Sequence, residues 1–69
     1  MTTDQVATCL RTTAIVAVSS GQVSADDLPF NPREADKSEQ FHNWVDLIEQ
    51  AMLDTMHNMC IAAIHHGGL

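Results

Sequence analysis

The residue types best suited to chemistry lie near the C-terminal end, where three histidines and one cysteine fall between positions 57 and 66. His57 and Cys60 are three positions apart and would share one face of a helix. His65 lies eight positions beyond His57, which is roughly 12 Å along a helix axis and too far for both to bind one ion. The sequence has neither a Cys-x-x-Cys nor a His-Glu-x-x-His pattern. We therefore expect no metal site and no cofactor.

Two acid–histidine pairs, Glu39 with His42 and Asp54 with His57, have the spacing that helical di-iron proteins use. The pairs are fifteen positions apart, or roughly 22 Å on one helix, so they cannot form one site within a chain. Nucleophilic catalysis needs a thiol or hydroxyl beside a base, and the base needs a group that orients it. Cys60 has only His57 near it in the sequence. We therefore predict no catalytic residues and a protein that is not an enzyme.

The charge balance favours a protein partner over a nucleic acid or a membrane. The chain has 69 residues, of which nine are acidic and three basic, for a net charge of -6. Binding to phosphates needs clustered Lys and Arg, which are absent, whereas an acidic surface attracts a basic protein surface. No apolar stretch approaches the ~20 residues of a membrane span, and the N-terminus lacks a secretory pattern. A cytoplasmic location is therefore expected.

Apolar spacing and capping signals predict an all-α chain, a single domain with two helices of unequal length. The first helix is predicted over residues 4–19, although its β-branched end would also suit a strand. Residues 20–31 form the connection, which includes one helical turn and apolar residues that reach the core. The second helix is predicted over residues 32–66, where Asn31 and Pro32 suit its start. Glycines that suit helix ends follow both helices, at Gly21 and Gly67.

The second helix carries an apolar stripe that one chain cannot cover. Its seam steps by four and three residues, through Phe41, Val45, Ile48, Met52, Thr55, Met59 and Ala62, with Trp44 and Leu47 beside it. A helix of about 16 residues covers about half of one with about 35, and residues 59–64 are apolar on every side. The sequence therefore predicts a helical hairpin that forms an intertwined homodimeric bundle. The predicted dimer interface consists of Ile48, Met52, Met56, Met59, Cys60 and Ala63.

The same hairpin places the two cysteines far apart. Cys9 would lie beside the first half of the long helix and Cys60 near its end. Two cysteines are also too few for a disulfide framework. We therefore predict free thiols that are buried as small apolar groups, with no disulfide within the chain.

The opposite face of the second helix is polar and mostly acidic, and it is the best candidate for binding a partner. We expect it to dock on a basic surface of another protein, with Arg33, Asp36, Glu39 and Asp46 as the contacts. The alternative is a structural or assembly subunit whose apolar C-terminal helix docks on another protein.

A very short, acidic, two-helix chain without a catalytic constellation resembles the small phage-encoded inhibitors of host proteins. That class includes proteins that block LuxR-type quorum-sensing regulators by binding their DNA-binding domains. The resemblance implies a protein that inhibits by binding, with the DNA-binding domain of a transcription regulator as one kind of target.

Overall fold

Three α-helices and two short 3-10 helices make up the described part of the chain, which is residues 2–51 and 55–67 of the computed structural model. In chain order, the α-helices are α1 (Thr3–Ser19), α2 (Glu39–Glu49) and α3 (Met56–His65). The 3-10 helices span Ala25–Asp27 and Pro32–Lys37. Each α-helix packs against the other two, and the described ranges contain no strand. The predicted all-α class is therefore confirmed.

The first helix begins within one residue of its predicted start and ends at Ser19 as predicted. The hydroxyl of Thr2 accepts the Gln5 N–H, and the Gln5 side chain accepts the Thr2 N–H in return. At the other end, Gly21 has a φ of 76°, and the next N–H bonds back to the carbonyl of Ala17 at 2.9 Å. A glycine in this left-handed conformation satisfies the last carbonyls of a helix, which is the role predicted for Gly21.

The connection between α1 and α2 is held to the core by its apolar residues, as predicted. Val23 and Leu28 are partly buried against the core. Phe30 is buried, and its ring packs edge-on against Phe41 and Trp44, with centroid distances of 5.1 and 5.8 Å. Edge-to-face contacts of this kind stabilise a core beyond the area that they bury.

The continuous helix predicted over residues 32–66 is wrong. The segment does start at Pro32, and the Asn31 side chain caps it by accepting a backbone N–H at 3.0 Å. It continues only as a 3-10 helix to Lys37, and Glu34 within it has a non-helical backbone, with φ -123° and ψ 28°.

The first interruption of the predicted helix is at Ser38. This residue is extended, with φ -96° and ψ 122°. Its hydroxyl accepts the Phe41 N–H at 3.2 Å and so caps the start of α2. Serine is among the preferred residues for this position because its oxygen satisfies a backbone donor that the helix leaves unpaired. The chain therefore starts a new helix here.

The second interruption separates α2, which ends at Glu49, from α3, which begins at Met56. A straight continuation of α2 would carry the apolar residues 59–64 away from α1. Because α3 packs against α1 and α2 instead, the core gains three buried side chains, Cys60, Ala63 and Ile64. Most helix stability in proteins comes from such packing, so burial against α1 outweighs an uninterrupted helix.

One hydrophobic core lies between the three α-helices. Its buried members are Val6, Leu10, Ala14, Ala17, Phe30, Ala35, Phe41, Trp44, Val45, Ile48, Cys60, Ala63 and Ile64. The radius of gyration is 10.8 Å, close to the value of about 11 Å expected for one folded domain of this length. The intertwined dimer depended on a long second helix, so its interruption removes that argument, and self-association of the chain stays a prediction.

The last helix ends close to its predicted position. α3 ends at His65, one residue before the predicted end, and Gly67 just beyond it has a φ of 73°. The longest described helix, α1, has 17 residues. None of the described helices is long and apolar enough to cross a membrane.

Candidate partner-binding surface

The four residues predicted to bind a partner all lie on the surface, on two neighbouring elements. Arg33 and Asp36 are exposed on the second 3-10 helix. Glu39 is exposed in the first turn of α2, and Asp46 is exposed two turns further on. The break at Ser38 separates the two pairs, so they do not form the single straight stripe that a continuous helix would display.

Asp36 has a partner within its own chain. Its Oδ1 accepts a hydrogen bond from the guanidinium of Arg11, on α1, at 2.6 Å. The same guanidinium lies over the ring of Phe41, 5.8 Å from the centroid, which is within the range of a cation–π contact. The backbone carbonyl of Asp36 also lies 2.9 Å from Nε2 of His42. Asp36 therefore helps to join α1 to the start of α2.

Glu39 and Asp46 are left on the solvent side of α2. Together with Asn43 and Gln50, they recur every three or four residues on one side of the helix, and all four are exposed. Leu47 lies beside Asp46 with 49% of its side chain exposed, one of three large apolar residues that the described chain exposes. We call Glu39, Asn43, Asp46, Leu47 and Gln50 the α2 outer face.

The α2 outer face carries charge that the described residues do not neutralise. Among the described residues, the pair between Arg11 and Asp36 is the single salt bridge. Glu39 and Asp46 therefore have no basic side chain within bonding distance in this part of the chain. A charged group that is exposed and unpaired is free to attract a cation on another surface. Leu47 was expected beside the buried seam, and sequence reasoning missed its exposure.

The described residues that were predicted for a dimer interface lie in, or pack against, the core of their own chain. Ile48, Cys60 and Ala63 are wholly buried in the core of their own chain. Met56 and Met59 are partly buried against that core. One chain thus buries Ile48, Cys60 and Ala63 without a partner, so these three give no reason to expect an interface, and the interface itself stays a prediction. The sixth predicted residue, Met52, lies outside the described ranges.

The two cysteines are neighbours, which corrects the expectation that they lie far apart. Cys9 on α1 is half-buried, and Cys60 on α3 is buried. The Cys60 thiol is close enough to the Cys9 side chain to interact with it. Burial, and to a lesser extent this interaction, raises the pKa of the Cys60 thiol to about 12. The prediction that both thiols are free is confirmed.

The histidines do not meet in one site within the described ranges. His57 and His65 line a shallow, mostly apolar groove between α1 and α3, which Val16 and Ile61 also line. His42 approaches a backbone carbonyl rather than Glu39, its predicted neighbour. No group of three or more potential metal ligands occurs in the described part of the chain. The other predicted acid–histidine pair includes Asp54, which lies outside the described residues.

Comparisons with protein-family models, with curated proteins and with solved structures found nothing that matches this chain.

Proposed function

We propose that this protein is a non-enzymatic inhibitor or modulator that binds a basic surface of another protein through the α2 outer face. The observation that carries the proposal is the pair of exposed, unneutralised carboxylates, Glu39 and Asp46, beside the half-exposed Leu47. Protein interfaces commonly combine a desolvated apolar contact with charges at the rim. The α2 outer face offers both on one short helix.

Charge supports a basic target. Seven carboxylates of the described chain are exposed, at Asp4, Asp26, Asp27, Glu34, Asp36, Glu39 and Asp46. The chain has only three basic residues, and Arg11 is engaged with Asp36. Complementary charge speeds the encounter of two proteins and selects the partner. The DNA-binding domain of a transcription regulator, the target that the resemblance suggests, presents such a basic surface.

We therefore revise the roles of the four residues that were predicted to bind a partner. Glu39 and Asp46 are the primary contacts, and Leu47 joins them as the apolar anchor. Asp36 acts mainly within the chain, through Arg11. Arg33 remains exposed on the second 3-10 helix, where a guanidinium suits a carboxylate on the partner.

The role as an assembly subunit that docks through an apolar C-terminal helix has less support. The apolar side chains at three positions of α3, Cys60, Ala63 and Ile64, are covered by the chain itself. What remains for that role is the groove between α1 and α3 that contains Val16 and Ile61. Binding that survives high salt and depends on these two residues would favour it.

The test compares capture of proteins from a cell lysate by three immobilised forms of the chain. The first is the wild type, and the second is the double variant Glu39→Lys/Asp46→Lys. The third, Asp26→Lys/Asp27→Lys, changes the net charge equally but on the first 3-10 helix. A partner of the α2 outer face binds the wild type and the third form, fails to bind the second, and is released by salt. A partner that binds the second form as strongly as the wild type would contradict the proposal.

A further inference from the structure

Two free cysteines, one on the first helix and one on the last, lie near each other at the core. Cys9 is on α1 and Cys60 is on α3, so their contact depends on the folded packing of these two helices. Cys9 packs against the buried apolar cluster that contains Cys60, and the two side chains are close enough to interact. Neither cysteine is part of the α2 outer face, so the proposed function leaves the pair unexplained.

The two sulfurs differ in their access to solvent. The Cys60 side chain is 0% exposed, whereas Cys9 is half-buried at the edge of the core. An oxidant dissolved in water therefore reaches Cys9 first. Because burial raises the pKa of Cys60, this thiol keeps its proton at neutral pH and is a poor first nucleophile. It is well placed to act second, on a neighbour that has already been oxidised.

We propose that Cys9 and Cys60 are a site of reversible disulfide formation by exchange with a small disulfide such as glutathione disulfide. The Cys9 thiolate attacks one sulfur of glutathione disulfide, which forms a mixed disulfide and releases one glutathione thiolate. Cys60 then gives its proton to the solvent, and its sulfur attacks the Cys9 sulfur and displaces the second glutathione. Two electrons pass from the cysteine pair to glutathione disulfide, which becomes two glutathione thiols.

The disulfide would link the first helix, α1, to the last helix, α3. Its loop runs from residue 9 to residue 60 and includes all of α2. A cross-link that closes a long loop stabilises the folded chain by restricting the unfolded one. Cys9 packs against the buried cluster that contains Cys60, and a disulfide needs the two sulfurs to approach to about 2.05 Å. The α2 outer face keeps its charges and its exposed leucine in either state.

The test incubates the reduced wild-type chain with glutathione disulfide under native conditions and follows intact mass and peptide mapping. We expect a transient glutathione adduct on Cys9, followed by a monomer that has lost two hydrogen atoms and links the peptides of Cys9 and Cys60. The thermal unfolding midpoint of that product should rise by roughly 10 °C, and a thiol reductant should reverse the rise.

Two variants separate the steps. Cys60→Ala should stop at the glutathione adduct on Cys9, and Cys9→Ala should form no adduct while it stays folded. The wild-type result alone keeps the proposal testable if either variant fails to fold. A wild-type chain that stops at the Cys9 adduct, or that forms only disulfides between chains, would overturn it.

Discussion

The guanidinium of Arg11 and the carboxylate of Asp36 meet at 2.6 Å and tie α1 to the second 3-10 helix. Arg11 also lies over the ring of Phe41, in the first turn of α2. One side chain thus contacts the two segments on either side of Ser38, where the chain leaves the 3-10 helix and enters α2. The direction of α2, and with it the position of the α2 outer face, depends in part on this contact.

The contacts of Arg11 with Asp36 and with Phe41 predict that substitutions of Arg11 and of Asp36 lower the stability by different amounts. Asp36 is 82% exposed and Arg11 is 37% exposed, so the ion pair itself is worth under about 1 kcal/mol. Arg11→Ala also removes the contact with Phe41 and the packing of the aliphatic stem, and we expect a total loss of about 1–2 kcal/mol. Arg11→Met, which keeps much of the stem, should lose less. Urea unfolding measures the stability of these two variants and of Asp36→Asn. An Asp36→Asn variant as destabilised as Arg11→Ala would contradict this interpretation.

Two adjacent residues of α2 should differ strongly in their effect on stability. Ile48 is wholly buried, whereas Leu47 is half-exposed. Ile48→Ala should lower the free energy of unfolding by about 2–5 kcal/mol, and Leu47→Ala should change it by at most about 0.5 kcal/mol. Both are measured by urea unfolding at several protein concentrations. If Ile48 belongs to the chain's own core, its effect is the same at every concentration; an effect that grows on dilution would place it in a dimer interface instead.

The cap at Ser38 should be needed for α2. Ser38→Ala removes the hydroxyl that accepts the Phe41 N–H, and we expect a loss of about 1 kcal/mol. Ser38→Asp keeps an acceptor at the same position and should retain most of the stability. Thermal unfolding followed by circular dichroism compares the two, and equal losses in both variants would show that the side-chain cap is unimportant.

The raised pKa of Cys60 makes stability depend on pH in the alkaline range. The folded chain holds the Cys60 proton up to about pH 12, whereas the thiol of an unfolded chain releases it near its ordinary value of 9.0. Above pH 9 the folded state therefore binds more protons than the unfolded state, so stability falls as the pH rises, by up to about 1.4 kcal/mol per pH unit. Urea unfolding of the reduced chain at pH 8, 9 and 10 measures the slope. Cys60→Ala should show a shallower slope, and an identical one would contradict the assignment.

Local signals in the sequence were sufficient to predict where several helices begin or end. Asn31 with Pro32, Gly21 and Gly67 each predict an end that the structure contains, because each depends on the chemistry of one or two residues. Ser38 belongs to the same class of signal. It is a cap residue followed by an acidic first turn, and reading it that way would have divided the predicted long helix.

The second interruption had a weaker signal, the cap-type residue Thr55 just before α3. Neither glycine nor proline lies between Glu49 and Met56, and a separate α3 is favoured because it lets Cys60 and its neighbours pack against α1. Contacts between residues so distant in sequence depend on the tertiary fold. The proximity of Cys9 and Cys60 was missed for this reason. The dimer was inferred from six apolar residues, of which the chain itself buries Ile48, Cys60 and Ala63.

The candidate surface was predictable in part. The exposure of Glu39 and Asp46 follows from the helical spacing of apolar residues in α2. The pairing of Asp36 with Arg11 and the exposure of Leu47 do not, because both depend on the direction that α2 takes after Ser38. The α2 outer face therefore retains the acidic character expected from the sequence but gains an apolar residue and loses Asp36.

The most direct test of the central claim measures the affinity of one purified, captured partner for matched variants of the chain. The variants are Glu39→Lys/Asp46→Lys, Leu47→Ala and the control Asp26→Lys/Asp27→Lys. We predict that the first raises Kd at least tenfold in low salt, that the difference shrinks in high salt, and that Leu47→Ala raises Kd several-fold in both. The control should bind within about twofold of the wild type. Equal losses in the first variant and the control would show that net charge, rather than the α2 outer face, determines binding, and would contradict the account.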